Sequence, residues 1–171
     1  MNQEMNQEMN QDKSHQPGQV EGAPHTLPDG SPGFVLAERA GWHLLEKKAE
    51  AVIVMDLRGR SDVCDFFVLA SGQSHQQVKA LAKHVHQELL GFGHRPKGVE
   101  GMNEGRWALL DFFDVVVHVF HTEVRHYYQL EKLWGDAPHL NLDPAWYALS
   151  DTSGRHPELN FTTPAGPERT G

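Results

Sequence analysis

The chain has a single cysteine, Cys64, in 171 residues. One cysteine excludes a disulfide within the chain and a zinc site built from several thiolates. Long apolar runs are also missing, because no stretch approaches the roughly 18 consecutive apolar residues of a membrane-spanning helix. The opening residues, MNQEMNQEMNQDK, lack the apolar run of a secretory signal and the arginines of an organellar transit peptide. We therefore expect a cytoplasmic protein with no membrane partner.

Positive charge is scarce as well. The chain carries 15 Lys and Arg against 23 Asp and Glu, for a formal net charge of −8 and a pI of about 5.8. Broad affinity for nucleic acid needs Lys and Arg that displace counterions from phosphates, so we expect no direct, sequence-specific binding of nucleic acid. An acidic protein can still bind a basic protein, since opposite potentials speed their encounter.

Composition divides the chain into three zones. Residues 1–33 contain a doubled MNQE and a Pro/Gly-rich stretch, and we expect them to form a disordered extension. Residues 139–171 are predicted to be a mostly disordered tail. Three of its apolar residues could pack locally: Trp146, Tyr147 and Leu149. The two ends carry most of the acidity, which leaves 12 cations and 14 anions in 34–138, the predicted folded domain.

Apolar periodicity predicts the elements of the first half of this domain. Helical spacing of apolar residues runs from 34 to about Glu50, with Gly41 weakening it slightly. The apolar runs AVIVMDL (51–57) and FFVLA (66–70) are typical of strands covered on both faces. Ser74 and Gln77 then fit a capping box at the start of a helix that Gly91 and Gly93 end.

The second half adds a short strand at about Lys97–Gly101, a hairpin made of RWALLDF and DVVVHVF, and a last helix. That helix is predicted to run from Glu123 to Trp134, and four of its side chains are expected to point inward: Val124, Tyr127, Leu130 and Trp134. The order α-β-β-α-β-β-β-α predicts an α/β fold, with a mixed five-stranded sheet flanked by helices.

The hairpin places a distinctive set of side chains together. A turn at Phe112-Phe113 predicts three cross-strand pairs: Asp111 with Asp114, Leu109 with Val116, and Trp107 with His118. Side chains alternate along strands, so these six share one face and Phe120 continues it. Opposed carboxylates repel each other modestly, and a cation such as Arg125 or a basic partner would relieve this.

Two interpretations of this face stay open. A tryptophan beside histidine and acids is a plausible protein-binding patch, because buried aromatic anchors dominate many interfaces. Trp107 on a sheet could equally belong to the core, and His118 in a valine-rich strand is commonly a buried, hydrogen-bonded histidine. We expect Asp111 and Asp114 to be exposed near the end of the hairpin.

Several long segments occur here in a characteristic order: VMDLRGRSDVCDFFVLASGQSHQQV, GVEG, WALLDFFDVVVHVF and EVRHYYQLEKLWGDAP. Together they resemble the ribosome silencing factor family, also called Iojap-related. The resemblance covers nearly all of 34–138 and neither tail. It implies an α/β fold of the nucleotidyltransferase type, often homodimeric when isolated. It also implies binding to large-subunit ribosomal protein fourteen, which blocks joining of the small subunit and damps translation during starvation.

On this hypothesis the docking residues are Arg125 of the last helix and six residues of the hairpin: Trp107, Leu109, Asp111, Asp114, His118 and Phe120. Phe113 departs from the family, which commonly has glycine at this position. A two-residue primed turn needs positive φ, which is costly for phenylalanine, so either the loop is longer or its geometry differs. An exposed Phe112-Phe113 pair could then serve a dimer or a ribosomal contact.

The sequence gives little support to an enzyme. Asp56, Asp62 and Asp65 could suggest a metal, and the helix start near Ser74 could receive a phosphate, but the expected carboxylate pair does not follow. None of the 12 histidines has zinc-signature spacing: neither His84 and His86, nor His118, His121 and His126, nor the tail residues His15 and His25. Cys64 is expected to be a small buried residue. We therefore predict no catalysis, no metal and no cofactor. Large-subunit assembly is the alternative function, and a nucleotidyltransferase-like enzyme is a third, less favoured one.

Overall fold

The computed structural model describes residues 30–142. Its elements, in chain order, are α1 (Pro32–Glu46), β1 (Glu50–Asp56), β2 (Phe66–Gly72), α2 (His75–Gly91), β3 (Gly98–Glu100), β4 (Trp107–Asp111), β5 (Val115–His121), α3 (Thr122–Tyr128), a 3-10 helix (Leu130–Trp134) and β6 (His139–Leu142). The predictions for residues 1–29 and 143–171, including Trp146, Tyr147 and Leu149, lie outside the described residues. None of the helices in this part of the chain has the length and hydropathy to cross a bilayer.

The two long helices begin at side-chain caps. The Ser31 hydroxyl accepts from the Phe34 N–H at 3.3 Å, with a proline in the first turn of α1, so the helix starts slightly before the predicted residue 34. The Ser74 hydroxyl accepts from the Gln77 N–H at 3.1 Å, which confirms the N-cap of α2. The Gln77 side chain accepts from the Gln73 N–H at 2.7 Å instead of closing the expected box.

The strands form one sheet in the order β3-β4-β5-β2-β1-β6. Strands β2 and β5 are parallel, and the other neighbouring pairs are antiparallel. The predicted α/β fold with a mixed sheet is therefore confirmed, with six strands in place of five.

The sixth strand corrects the prediction for the start of the tail. Residues 139–142 are not disordered, because β6 pairs with β1 and places Leu142 opposite Val52. Leu142 is buried in the core. It also packs so closely on α1 that a Cβ at Gly41 would overlap its side chain. The glycine that weakened the helical pattern is thus the point where the strand meets the helix.

The two faces of the sheet are covered differently. Helices α1 and α2 pack on one face, the helical face, over inward side chains such as Val54, Val68 and Val117. The opposite face, the aromatic face, is covered by α3, the 3-10 helix and the segment around Ala137. Every residue of β2 is buried, which confirms a strand covered on both sides.

The prediction of one continuous last helix from Glu123 to Trp134 is wrong, because the structure has two shorter helices there. Helix α3 ends at Tyr128, Gln129 takes a left-handed conformation with φ of 47°, and the 3-10 helix follows. Tyr127, predicted to point inward, is 81% exposed. Val124, Leu130 and Trp134 pack against the aromatic face as predicted.

Candidate docking face

The β4–β5 hairpin pairs two residues away from the predicted register. Asp111 lies opposite Val116, Leu109 opposite His118, and Trp107 opposite Phe120. Because the shift is an even number of residues, the set of side chains on the aromatic face is the one expected. Asp114 leaves the ladder, so the predicted repulsion between paired carboxylates does not arise there.

The turn of this hairpin keeps phenylalanine in a costly conformation. Phe113 has φ of 70°, and the Phe112 N–H donates to the Val115 carbonyl at 2.8 Å. The Asp111 carboxylate accepts from the Phe113 N–H at 2.8 Å and so stabilises the turn. Phe112 is buried, whereas Phe113 is 62% exposed.

Trp107 and His118 form the centre of the aromatic face. The indole Nε1–H donates to Nδ1 of His118 at 3.1 Å. The indole stacks on Phe120 at 4.8 Å between ring centroids and lies 5.1 Å from the Tyr128 ring. Below it, His118 meets the edge of Phe67 at 4.6 Å. Trp107 is half-buried, so part of the indole reaches the surface.

His118 is a neutral, buried member of this stack. Its side chain is 4% exposed, and burial lowers its pKa to about 4. Since Nδ1 accepts from Trp107, the ring proton belongs on Nε2. That nitrogen has no hydrogen-bond partner within residues 30–142. The interpretation as a buried, hydrogen-bonded histidine is therefore confirmed.

The predicted docking residues separate into two layers. His118 and Phe120 are buried and support the indole from beneath. Trp107 and Leu109 are half-buried. Of the two acids expected to be exposed near the end of the hairpin, Asp114 is exposed, whereas Asp111 is half-buried. Their role in binding a partner stays a prediction.

Arg125 lies away from the carboxylates it was expected to neutralise. Its guanidinium pairs with Glu131 at 2.8 Å and donates to the Ala51 carbonyl at 2.7 Å and the Ser71 hydroxyl at 3.0 Å. These contacts fix α3 to the carboxyl end of β2, whereas Asp111 lies at the opposite end of the sheet. Arg125 also lines an open cavity of about 510 Å³ between α3 and the sheet.

Acidic and apolar side chains meet at the turn end of the hairpin. Burial first, and then the charges of Asp111, Asp65 and Asp114, raise the pKa of Cys64 to about 12. Cys64 is buried, as predicted, and holds a neutral thiol. We call Asp65, Asp111 and Asp114, with the exposed Val63 and Phe113 beside them, the acidic end.

The sequence did not point to the exposed aromatic residues beside Trp107. Tyr127 and Tyr128 project from α3, and Leu133 from the 3-10 helix is exposed as well. Helical periodicity placed Tyr127 inward, and no residue pattern marked the left-handed Gln129 at which α3 ends.

Groups with possible metal-binding chemistry lie elsewhere. Asp56 is buried, and both of its carboxylate oxygens accept from the Arg58 guanidinium, at 2.9 and 2.6 Å. A salt-bridged carboxylate of this kind serves the fold. The second group is His43 and Glu46 of α1 with His84 of α2. Their ligand atoms meet between these two helices, on the side of the sheet opposite to the aromatic face.

Comparison with known proteins assigns the fold to one family. A family model described as ribosomal silencing factor during starvation, RsfS, matches residues 28–165. The ribosomal silencing factor RsfS of Bacillus subtilis is 47% identical over 98 residues, which are 57% of this chain and 83% of that protein.

A crystal structure of a protein from Chromobacterium violaceum superposes with a TM-score of 0.57 and 31% identity, over 76% of this chain and 93% of its own. A more distant relative, the mouse mitochondrial assembly of ribosomal large subunit protein 1, is 28% identical over 94 residues, which are 53% of this chain and 41% of that protein. The family-model match spans both faces of the sheet and the whole β4–β5 hairpin, and on this ground the chain belongs to the RsfS family of ribosomal silencing factors.

Proposed function

We propose that this protein represses translation by docking on the large ribosomal subunit through ribosomal protein fourteen and sterically blocking association with the small subunit. Membership of the silencing-factor family supports the ribosomal role. The observation that carries the docking is the half-buried Trp107, held by His118 and Phe120 beneath and flanked by exposed Tyr128. An aromatic side chain fixed in one orientation loses little entropy on binding and serves as an anchor.

The acidic end supplies the electrostatic part of the contact. Asp111 and Asp114 lie on the hairpin that carries the anchor, and Asp65 lies nearby. A basic ribosomal protein would meet opposite charge there, which speeds association and selects the partner. Exposed Phe113 would add apolar area at the same edge.

The proposed mechanism is steric exclusion and needs no catalytic step. A specific interface buries roughly 1,200–2,000 Å², and the domain behind it then occupies the space that the small subunit needs. The buried Arg58-paired Asp56 and the neutral thiol of Cys64 give phosphoryl or acyl transfer no ready nucleophile or metal ligand. We therefore propose a regulator and not an enzyme.

Sedimentation of separated subunits tests the proposal directly. The purified chain is expected to co-sediment with large subunits, to be absent from joined ribosomes, and to raise the fraction of free subunits when small subunits are added. The variant Tyr128→Ala is the sensitive probe, and Phe92→Ala, an equally exposed aromatic on the helical side, is the matched control. Normal reassociation in the presence of the protein would refute the proposal.

The same proposal includes a cytoplasmic location and a homodimer in isolation. A dimer that covered Trp107 and Tyr128 would have to dissociate before docking. Analytical ultracentrifugation with and without large subunits measures this, and an unchanged dimer on the ribosome would exclude that face as the dimer contact.

The mouse relative favours a second candidate, since its name attributes to it a role in assembly of the ribosomal large subunit. As an assembly factor, this protein would bind the same surface at an earlier stage. Deletion would then cause immature large subunits to accumulate while joining of mature subunits stays normal. Under the silencing proposal, deletion leaves large-subunit maturation unchanged and increases joining under starvation.

A further inference from the structure

Three side chains with metal-binding atoms meet where α1 and α2 touch. Nδ1 of His43 lies 2.7 Å from the Glu46 carboxylate, and Nε2 of His84 lies 3.0 Å from the same oxygen. The three ligand atoms all lie within 4.8 Å of one another. His43 and His84 come from different helices and are both largely buried, at 13% and 18% side-chain exposure. Helix packing therefore sets the positions of the two histidines, whereas Glu46 between them is exposed.

The donor set fits a transition metal of the zinc class. Two imidazole nitrogens and one carboxylate oxygen are a common set of three protein ligands, with a fourth position left for water. Bond lengths of about 2.0–2.2 Å in a tetrahedron separate ligand atoms by roughly 3.4 Å. The observed separations from Glu46 are shorter than this by about 0.7 Å for His43 and about 0.4 Å for His84, so side-chain movements of this size would admit an ion. Mg²⁺ and Ca²⁺ prefer oxygen ligands and do not fit.

Two further features favour a cation at this point. Nδ1 of His84 faces the Glu88 carboxylate at 3.9 Å while Nε2 faces Glu46. At this distance the Glu88 carboxylate makes no hydrogen bond to the ring, but its negative charge favours a cation bound at Nε2. His43 and Glu46 also lie in the last turn of α1, where the helix dipole is negative.

We propose that His43, Glu46 and His84 bind one zinc-class transition-metal ion, which links α1 to α2 and is supported by Glu88. The link fastens the helical face and leaves the aromatic face open for docking. Sequence spacing predicted no metal because the two histidines lie far apart in the chain, and His84 was considered only with His86. This site is independent of the proposed ribosomal function.

Calorimetric titration of the full chain with Zn²⁺, and Co²⁺ absorption as a spectroscopic probe, test the site. We expect one Zn²⁺ per chain, tetrahedral Co²⁺ bands, and a rise in melting temperature with Zn²⁺ but not with Mg²⁺. His84→Gln and Glu46→Gln are each expected to weaken the affinity for Zn²⁺ at least tenfold and to remove the Co²⁺ bands. His126→Gln removes an exposed histidine of α3 and is expected to change neither.

Circular dichroism and melting without metal establish that each variant is folded, and His43→Gln replaces any variant that is not. Zn²⁺ affinity and stoichiometry that stay unchanged in folded His84→Gln and His43→Gln would overturn the proposal and place binding elsewhere. A loss equally large in His126→Gln would overturn it as well. Stabilisation by Mg²⁺ equal to that by Zn²⁺ would exclude a nitrogen-ligated ion.

Discussion

The helical and aromatic faces of the sheet differ in how completely they are covered. Helices α1 and α2 cover the helical face completely. The helix side chains that pack on it, such as Leu44 and Leu81, have no exposed surface. Within residues 30–142, the aromatic face is covered by a seven-residue helix, one 3-10 helix and the segment around Ala137, and Trp107 and Leu109 remain half-buried. The buried polar ring of His118 lies on this second face.

The difference separates stability from recognition. Apolar side chains sealed by helices stabilise the fold in proportion to the area they bury. A half-covered aromatic stack on a rigid sheet keeps surface available and fixes its shape, which is what an interface needs. Four substitutions test this division of roles between the two faces.

Leu81→Ala tests the helical face and has the largest expected effect. Leu81 is fully buried between α2 and the sheet, so the substitution should lower the free energy of unfolding by about 2–5 kcal/mol. Urea denaturation measures the loss. Large-subunit affinity, measured at a temperature where the variant is folded, should stay unchanged. A matching loss of affinity would show that the two faces are not separable.

Trp107→Ala tests the aromatic face. If the indole is the anchor, affinity for the large subunit should fall by more than about 2 kcal/mol, or roughly 30-fold. Binding is measured by quantitative co-sedimentation, with circular dichroism to establish folding. Phe92→Ala should leave affinity within error, because Phe92 is exposed on the helical side. A folded Trp107→Ala variant with unaltered affinity would remove Trp107 from the docking site.

His118 should make the aromatic face sensitive to acid. Its pKa is about 4 in the folded protein and 6.5 when unperturbed. Its contribution to stability is therefore complete above pH 6.5 and falls as pH drops towards 4, by up to about 3 kcal/mol in total and about 2 kcal/mol by pH 5. His118→Gln should reduce the loss of unfolding free energy between pH 7 and 5 by that amount, and exposed His126→Gln should not. Equal slopes for wild type and His118→Gln would contradict the assignment.

Phe113→Gly has the smallest expected effect. Glycine removes the strain of a positive φ but adds freedom to the unfolded chain, so stability should rise by no more than about 1 kcal/mol. The same variant deletes an exposed ring at the acidic end. If large-subunit affinity falls while stability rises, the ring contacts the partner. If neither changes, Phe113 contributes to neither property.

Local signals in the sequence predicted local structure well. The Ser74 cap and the buried run of β2 each depend on neighbours along the chain, and both are confirmed. Strand alternation also predicted correctly that Trp107 and His118 share one face. The prediction survives the error in register because a shift of two residues leaves each side chain on the same face of the sheet.

What the sequence did not predict depends on distant contacts or single backbone angles. The left-handed Gln129 ends α3, and the turn at Phe113 sets the register of the hairpin, yet no residue type marks either angle. Strand β6 forms because β1 offers an unpaired edge and Gly41 offers a groove. Contacts of this kind are visible only once the chain is folded.

The pairing of β6 with β1 also bears on how the chain folds as it is made. Val52 of β1 pairs with Leu142, ninety residues later in the chain. The outer edge of β1 therefore stays unpaired until β6 has been synthesised. Contacts between such distant positions slow folding, and an open strand edge invites pairing with other chains. A nascent chain that stops short of residue 139 would expose both this edge and the groove at Gly41. Folding of the sheet is therefore complete only after residues 139–142, which follow the 3-10 helix, have been synthesised.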